Sequence, residues 1–145
     1  MIGLLQRVSH AEVFVAQESV ARIDRGLLVL LGVQRSDDKA RADRLLDRLL
    51  TYRVFPDQAG KMNLSLLEID GGLLLVPQFT LAADTRKGRR PGFSHAATPD
   101  QGHLLFEYLL DQARGRGVAL SSGRFGADMQ VSLVNDGPVT FWLET

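Results

Sequence analysis

Cysteine is absent from the 145 residues, tryptophan occurs once, tyrosine twice and proline five times. The lack of thiols excludes a disulfide scaffold, a thiolate nucleophile and a cysteine-ligated metal, and leaves the redox compartment open. No excess of either charge exists: 17 Lys+Arg stand against 17 Asp+Glu. Global attraction to nucleic acid or to an anionic membrane is therefore not implied, and a polyanion site must be a local patch. Long apolar runs are missing too. The stretch from Gly26 to Val33 falls far short of the ~20 residues a membrane-spanning helix needs, and Arg7 interrupts the N-terminus too early for a secretory core. A soluble, cytoplasmic protein without membrane attachment is expected. With 45% hydrophobic and 23% charged residues, the length suits one core, and residues 1–145 read as a single domain.

Val8, Val13, Val15 and Val20 lie among polar neighbours, a near-alternation that predicts an N-terminal hairpin or meander. The unbroken Leu/Val run from Gly26 to Val33 predicts a central strand covered on both faces. Ser36 offers an N-cap with Asp37 and Asp38 in the first turn, and Ala42, Leu45, Leu46, Leu49 and Leu50 recur at helical spacing, so a helix is expected over 37–52. A second buried strand, Leu73 to Val76, stops at Pro77. From Gln78 to Ala97 neither period holds, and a long surface loop is expected. Thr98, Pro99 and Gln101 form a capping-box start for a second helix ending near Gly115 or Gly117. The tail, Met129 to Val134 and Val139 to Leu143 around the turn Asn135 to Pro138, reads as a hairpin. Two main helices against mostly antiparallel strands make an α+β layered sandwich.

Familiar catalytic signatures are missing. His10, His95 and His103 lack metal-binding spacing, and Ser121 and Ser122 lie in a turn-like stretch outside any nucleophile elbow. Gly115 to Gly117 and Gly123 to Gly126 lack the lysine of a phosphate loop. Arg86, Lys87, Arg89 and Arg90, near Phe93, read either as a solvated loop or as a grip on nucleic-acid phosphates. Gly137-Pro138 reads either as turn punctuation or, if its bond is cis, as rigid backbone lining a pocket. Thr80 is a hydroxyl at the end of a buried strand, with a capping role or a nucleophilic one.

In combination these stretches are more specific. Lys61-Met62-Asn63, Gln78-Phe79-Thr80-Leu81, Ala83-Asp84 with Lys87-Gly88, Arg90-Pro91 and Phe93, Phe125-Gly126-Ala127, and Asn135 through Phe141 resemble the D-aminoacyl-tRNA deacylase family, as do Gln6-Arg7-Val8 and the Gly26 strand. The resemblance implies an editing hydrolase that cleaves the ester of D-aminoacyl-tRNA and of glycine mischarged on tRNA-Ala, without metal or cofactor. It implies a homodimer with active sites at the subunit interface. It also implies that Gly137 and Pro138 form a cis dipeptide reaching into the partner subunit's pocket to reject L-amino acids, with Arg7 holding it. Gln78, Phe79 and Thr80 would line the site beside the ester. Pro77, Phe125 and Met129 would lie near substrate and terminal adenosine, and Arg86, Lys87, Arg89 and Arg90 would meet tRNA phosphates.

The chemistry is coherent with that residue set. L- and D-side chains differ only in the direction they leave Cα, so sorting them needs a stiff wall that excludes, and such a wall admits glycine. Aminoacyl esters are activated, so little is needed beyond positioning, hydrogen bonds to the oxyanion and help with proton transfer. The resemblance implies that the 2′-hydroxyl of the terminal ribose assists, and Thr80 as nucleophile is the competing mechanism. Pro77 stands where the family usually has Ser, removing a hydroxyl and an N–H and leaving the Gln78 and Phe79 amides as donors. Gly92, between Pro91 and Phe93, is a second departure from the family pattern. The alternative is a non-catalytic module that binds tRNA ends.

Overall fold

The computed structural model describes residues 1–145. Strand β1 (Ile2–Val15) turns through Ala16 and Gln17, at φ 50° and 69°, into β2 (Glu18–Ile23). The expected hairpin forms, closed by two non-glycine residues in the left-handed region that such two-residue turns require. Strand β3 (Gly26–Gly32) pairs antiparallel with β1 and parallel with β6 (Gly72–Pro77). Gly26 and Gly72 face each other there, and a Cβ on Gly26 would overlap the Gly72 carbonyl, so glycine is required.

The two-sided burial read from the apolar runs is present. Leu27, Val29, Leu31, Leu73 and Leu75 join a core with the helices, whereas Leu28, Leu74 and Val76 join Val8, Ala11 and Val13 in a second core on the opposite face. Helices α1 (Lys39–Thr51) and α2 (Pro99–Gly115) cover the first face through Leu45, Leu49, Leu105, Phe106 and Leu109.

The start of α1 differs from expectation. Asp38, not Ser36, is the N-cap, accepting from the Arg41 amide at 2.9 Å, and Asp37 lies outside the helix. Asp37 is buried because the Met1 amine and the Gln34 amide, both at 2.7 Å, draw its carboxylate inward. Thr98 caps α2 as expected, its side chain accepting from the Gln101 amide. The reciprocal half of the capping box is replaced, since Gln101 Nε2 donates at 3.1 Å to the carbonyls of both Arg35 and Asp37.

Strands β4 (Phe55–Pro56) and β5 (Met62–Leu64) form a separate small hairpin, and β7 (Ala119–Ser122) lies parallel to β6. The larger sheet runs β2-β1-β3-β6-β7, with β8 (Gln130–Glu144) along the remaining edge of β1. Antiparallel pairs predominate, with a parallel wing at β3-β6-β7. No helix is long and apolar enough to cross a membrane.

The tail corrects the hairpin expectation. Both of its limbs belong to β8, which pairs with β1 from Phe14↔Gln130 to His10↔Val134 and again from Gln6↔Thr140 to Ile2↔Glu144. Residues 136–139 loop out where the register shifts, and the chain then resumes its direction because β1 still offers a free edge. Asn135 closes the base of this excursion, accepting from the Val139 amide at 2.6 Å and donating to Thr140 Oγ1 at 2.9 Å.

Candidate active site

Strand β6 ends at Pro77, and the Gln78 amide donates to the Leu31 carbonyl at 2.7 Å, extending the pairing with β3 by one bond. The Gln78 N–H is therefore consumed, contrary to the expectation that it serves substrate. A 3-10 turn over Phe79–Ala82 follows within the segment read as loop. The first amides of such a turn have no acceptor inside it, so the Phe79 and Thr80 N–H groups are the donors left. Gln78 Nε2 lies 2.5 Å from Thr80 Oγ1. No imidazole or carboxylate meets that hydroxyl.

Pro77, Gln78 and Phe79 form one wall of a cavity of about 490 Å³, and Phe125 and Met129 form another. The volume is that of an ordinary small-molecule site. Five site residues separated by some fifty positions are thus gathered by the β6–β7 crossing. Thr80 sits just outside the lining. Asp128 is the single ionisable group that lines the cavity, which holds no imidazole. Apart from the Asp128 carboxylate, the lining supplies no base that could activate a nucleophile, and its remaining polar groups are amides and a hydroxyl.

Phe125 and Met129 are braced from behind. Phe125 stacks on His103 with centroids 4.9 Å apart and planes 19° apart, and it crosses α2 at Gly102, where a Cβ would lie 3.3 Å from Cζ. The Arg124 amide lies 3.4 Å from Met129 Sδ. At Gly123 a Cβ would come within 2.8 Å of that sulfur, so glycine lets Met129 seat.

Gly137 and Pro138 do not line this cavity; they lie exposed on the β8 excursion, with a cis peptide bond between them. Arg7 is only 9% exposed, and its guanidinium donates to the Asp136 carbonyl at 2.8 Å and to the Val54 carbonyl at 2.6 Å. The basic loop is likewise outside the cavity. Arg86 is held by both oxygens of Asp84, at 2.9 and 2.8 Å, whereas Lys87, Arg89 and Arg90 carry no ion pair. The Arg86 side chain, and next its backbone amide, hold the Asp84 carboxyl well below the usual carboxylate range.

Residues 4–144 match the family model described as D-Tyr-tRNA(Tyr) deacylase. The chain belongs to that family. It is 65% identical over 145 residues to the D-aminoacyl-tRNA deacylase of Stutzerimonas stutzeri (strain A1501), covering 100% of both chains. To the D-aminoacyl-tRNA deacylase of Alkalilimnicola ehrlichii it is 64% identical over 144 residues, or 99% of this chain and 96% of that one. Among solved structures, the c-Myc DNA Unwinding Element Binding Protein superposes with a TM-score of 0.95 at 37% identity, covering 100% of this chain and 99% of that one. The fold is shared with a probable eukaryotic D-amino acid tRNA deacylase at a TM-score of 0.86 and 20% identity, over 99% and 98% of the two chains.

Within this deacylase-family site, sequence reasoning overlooked Thr98, Gly102, Gly123 and Asp128. Gly102 left a signal. Glycine inside a helix disfavours it by ~1 kcal/mol relative to alanine, so its presence in α2 points to a close contact, here with Phe125.

Proposed function

We propose that the protein hydrolyses the ester linking a D-amino acid, or glycine on tRNA-Ala, to the 3′ end of tRNA, while sparing L-aminoacyl-tRNA. The observation that carries this reading is the convergence of Pro77, Gln78 and Phe79 with Phe125 and Met129 on one cavity, in a chain of the deacylase family. The terminal adenosine packs against Phe125 and Met129, and the ester carbonyl lies toward the Phe79 amide. The Phe79 and Thr80 N–H groups then donate to the oxyanion that develops as water attacks. Water adds to the acyl carbon, the ribose oxygen leaves with a proton, and the 2′-hydroxyl of the ribose assists that proton transfer. Thr80 serves by donation, not by covalent attack, since its oxygen already accepts from Gln78 and has no base.

Selectivity in this reading belongs to a second copy. The chain acts as a single domain in a cytoplasmic homodimer, in which each β8 excursion inserts Gly137 and Pro138 into the cavity of the other subunit. The exposure of the excursion and its anchoring by Arg7 and Asn135 support this placement, because a steric wall must be both accessible and stiff. Glycine passes because it has no side chain to exclude. The test is ester remaining after incubation with D-, L- and glycyl-tRNA. A non-catalytic tRNA-end binder leaves all three intact, and an unselective esterase consumes all three.

A further inference from the structure

Phe79 and Phe93 pack together at the cavity mouth with ring centroids 5.1 Å apart, yet remain 61% and 40% exposed. Phe79 lines the cavity and Phe93 does not, so the pair continues the cavity wall outward. Phe93 is anchored: its carbonyl accepts from the Ala96 amide at 3.1 Å, and Gly92 beside it exchanges two backbone bonds with Asp84, at 2.7 and 3.0 Å. The segment closed by that exchange holds Arg86, Lys87, Arg89 and Arg90 against the single carboxylate of Asp84, in a chain whose net charge is zero. With Arg86 engaged as a strut, Lys87, Arg89 and Arg90 are free. An aromatic shelf flanked by unpaired cations matches the chemistry of unpaired nucleic-acid strands, which offer π-faces and phosphates together. A two-fold contact centred on the loop would set like cations face to face, whereas the proposed partner contact brings the β8 excursion to the cavity and leaves the Phe93 side of the shelf for RNA.

We propose that Phe79, Phe93 and the Lys87, Arg89 and Arg90 side chains form a stacking platform for the unpaired nucleotides preceding the terminal adenosine of the acceptor strand. This rests on the deacylase reading only in placing that adenosine in the cavity. The penultimate base lies on the Phe93 face, and its phosphates run toward the cations. The cavity holds the ester and the platform sets its approach.

The test pairs binding with hydrolysis. Fluorescence anisotropy with a labelled, uncharged short RNA ending in two cytidines and an adenosine measures the platform without catalysis. Phe93→Ala should weaken binding by about tenfold, with Phe93→Trp restoring it, as expected for loss and return of one base–aromatic stack. Replacing Lys87, Arg89 and Arg90 by Ala should flatten the salt dependence by a slope of ~0.7 for each phosphate no longer neutralised. In hydrolysis, the ratio of kcat/KM for a D-aminoacyl trinucleotide over D-aminoacyl-adenosine should fall toward one in Phe93→Ala. Phe93→Leu, similar in size but lacking the π-face, serves if the alanine variant fails to fold. Equal wild-type affinity for adenosine and the RNA overturns the platform, as does an equal loss on both esters in Phe93→Ala. A change of sedimentation to a smaller species in Phe93→Ala also overturns it, assigning the shelf to a second copy. RNA binding without any hydrolysis would instead sink the deacylase reading and leave the platform standing.

Discussion

Arg7 Nε lies 2.8 Å from the carbonyl oxygen of Asp136, immediately before Gly137, while Nη1 of the same guanidinium reaches the Val54 carbonyl at 2.6 Å. One buried side chain thus ties the β8 excursion to the segment leading into β4. Arg7→Ala strands both carbonyls and should destabilise the fold by about 3 kcal/mol in chemical denaturation. The D-over-L ratio of hydrolysis rates should drop by about tenfold, a loss of ~1.4 kcal/mol of discrimination. Arg7→Lys cannot span both acceptors and should rescue little. Gly137→Ala should relax selectivity in the same direction, because φ is +153° and the new Cβ would meet the Val139 amide nitrogen at 2.7 Å. Unchanged selectivity in both variants would separate the excursion from stereochemistry.

Thr80→Ala removes the hydroxyl that accepts from Gln78. Single-turnover deacylation should stay within about tenfold of wild type, since one hydrogen bond contributes ~1 kcal/mol. Loss of a covalent nucleophile costs on the order of a million-fold. A collapse of that size, with folding and RNA binding intact, would establish the covalent route.

Gly102→Ala separates stability from binding. Alanine should favour helix α2 by ~1 kcal/mol. Its Cβ, 3.3 Å from Phe125 Cζ, should push that half-exposed ring toward the cavity. The thermal midpoint should hold or rise while KM increases severalfold and kcat persists. An unchanged KM would mean that Phe125 does not meet substrate.

Asp84 titrates with a depressed value, caused first by the Arg86 side chain. A depressed carboxyl stabilises the folded loop above its ordinary value of 3.8, and that contribution fades only as pH falls through the lower folded value. The basic loop should therefore keep its closure from neutral pH to below 4. Carboxyl-carbon NMR should find Asp84 still ionised at pH 3, and a midpoint near 3.8 would contradict the pairing.

How much of this was legible beforehand depends on how local each determinant is. The runs at Leu27 to Leu31 and Leu73 to Val76, both helices and the Thr98 cap follow from burial period and capping chemistry. The start of α1 shifted because Asp37 answers to Met1 and Gln34, contacts that no spacing reveals. Asn135 to Pro138 carry real turn chemistry, yet whether the chain reverses or resumes is decided by the free edge of β1. Individual members of the site could be recognised in the motifs Gln78-Phe79-Thr80 and Phe125-Gly126-Ala127. Their meeting across the cavity, the capture of the Gln78 amide by Leu31 and the seating of Phe125 on Gly102 depend on the crossing of distant elements.

The most direct measurement compares a D-aminoacyl-tRNA with its L-enantiomer, the same amino acid on the same tRNA, and follows ester remaining against time. Rapid loss of the D-ester with the L-ester persisting at its spontaneous rate is the result predicted for a pocket that sorts by exclusion. Equal consumption of both, or survival of both, would contradict it.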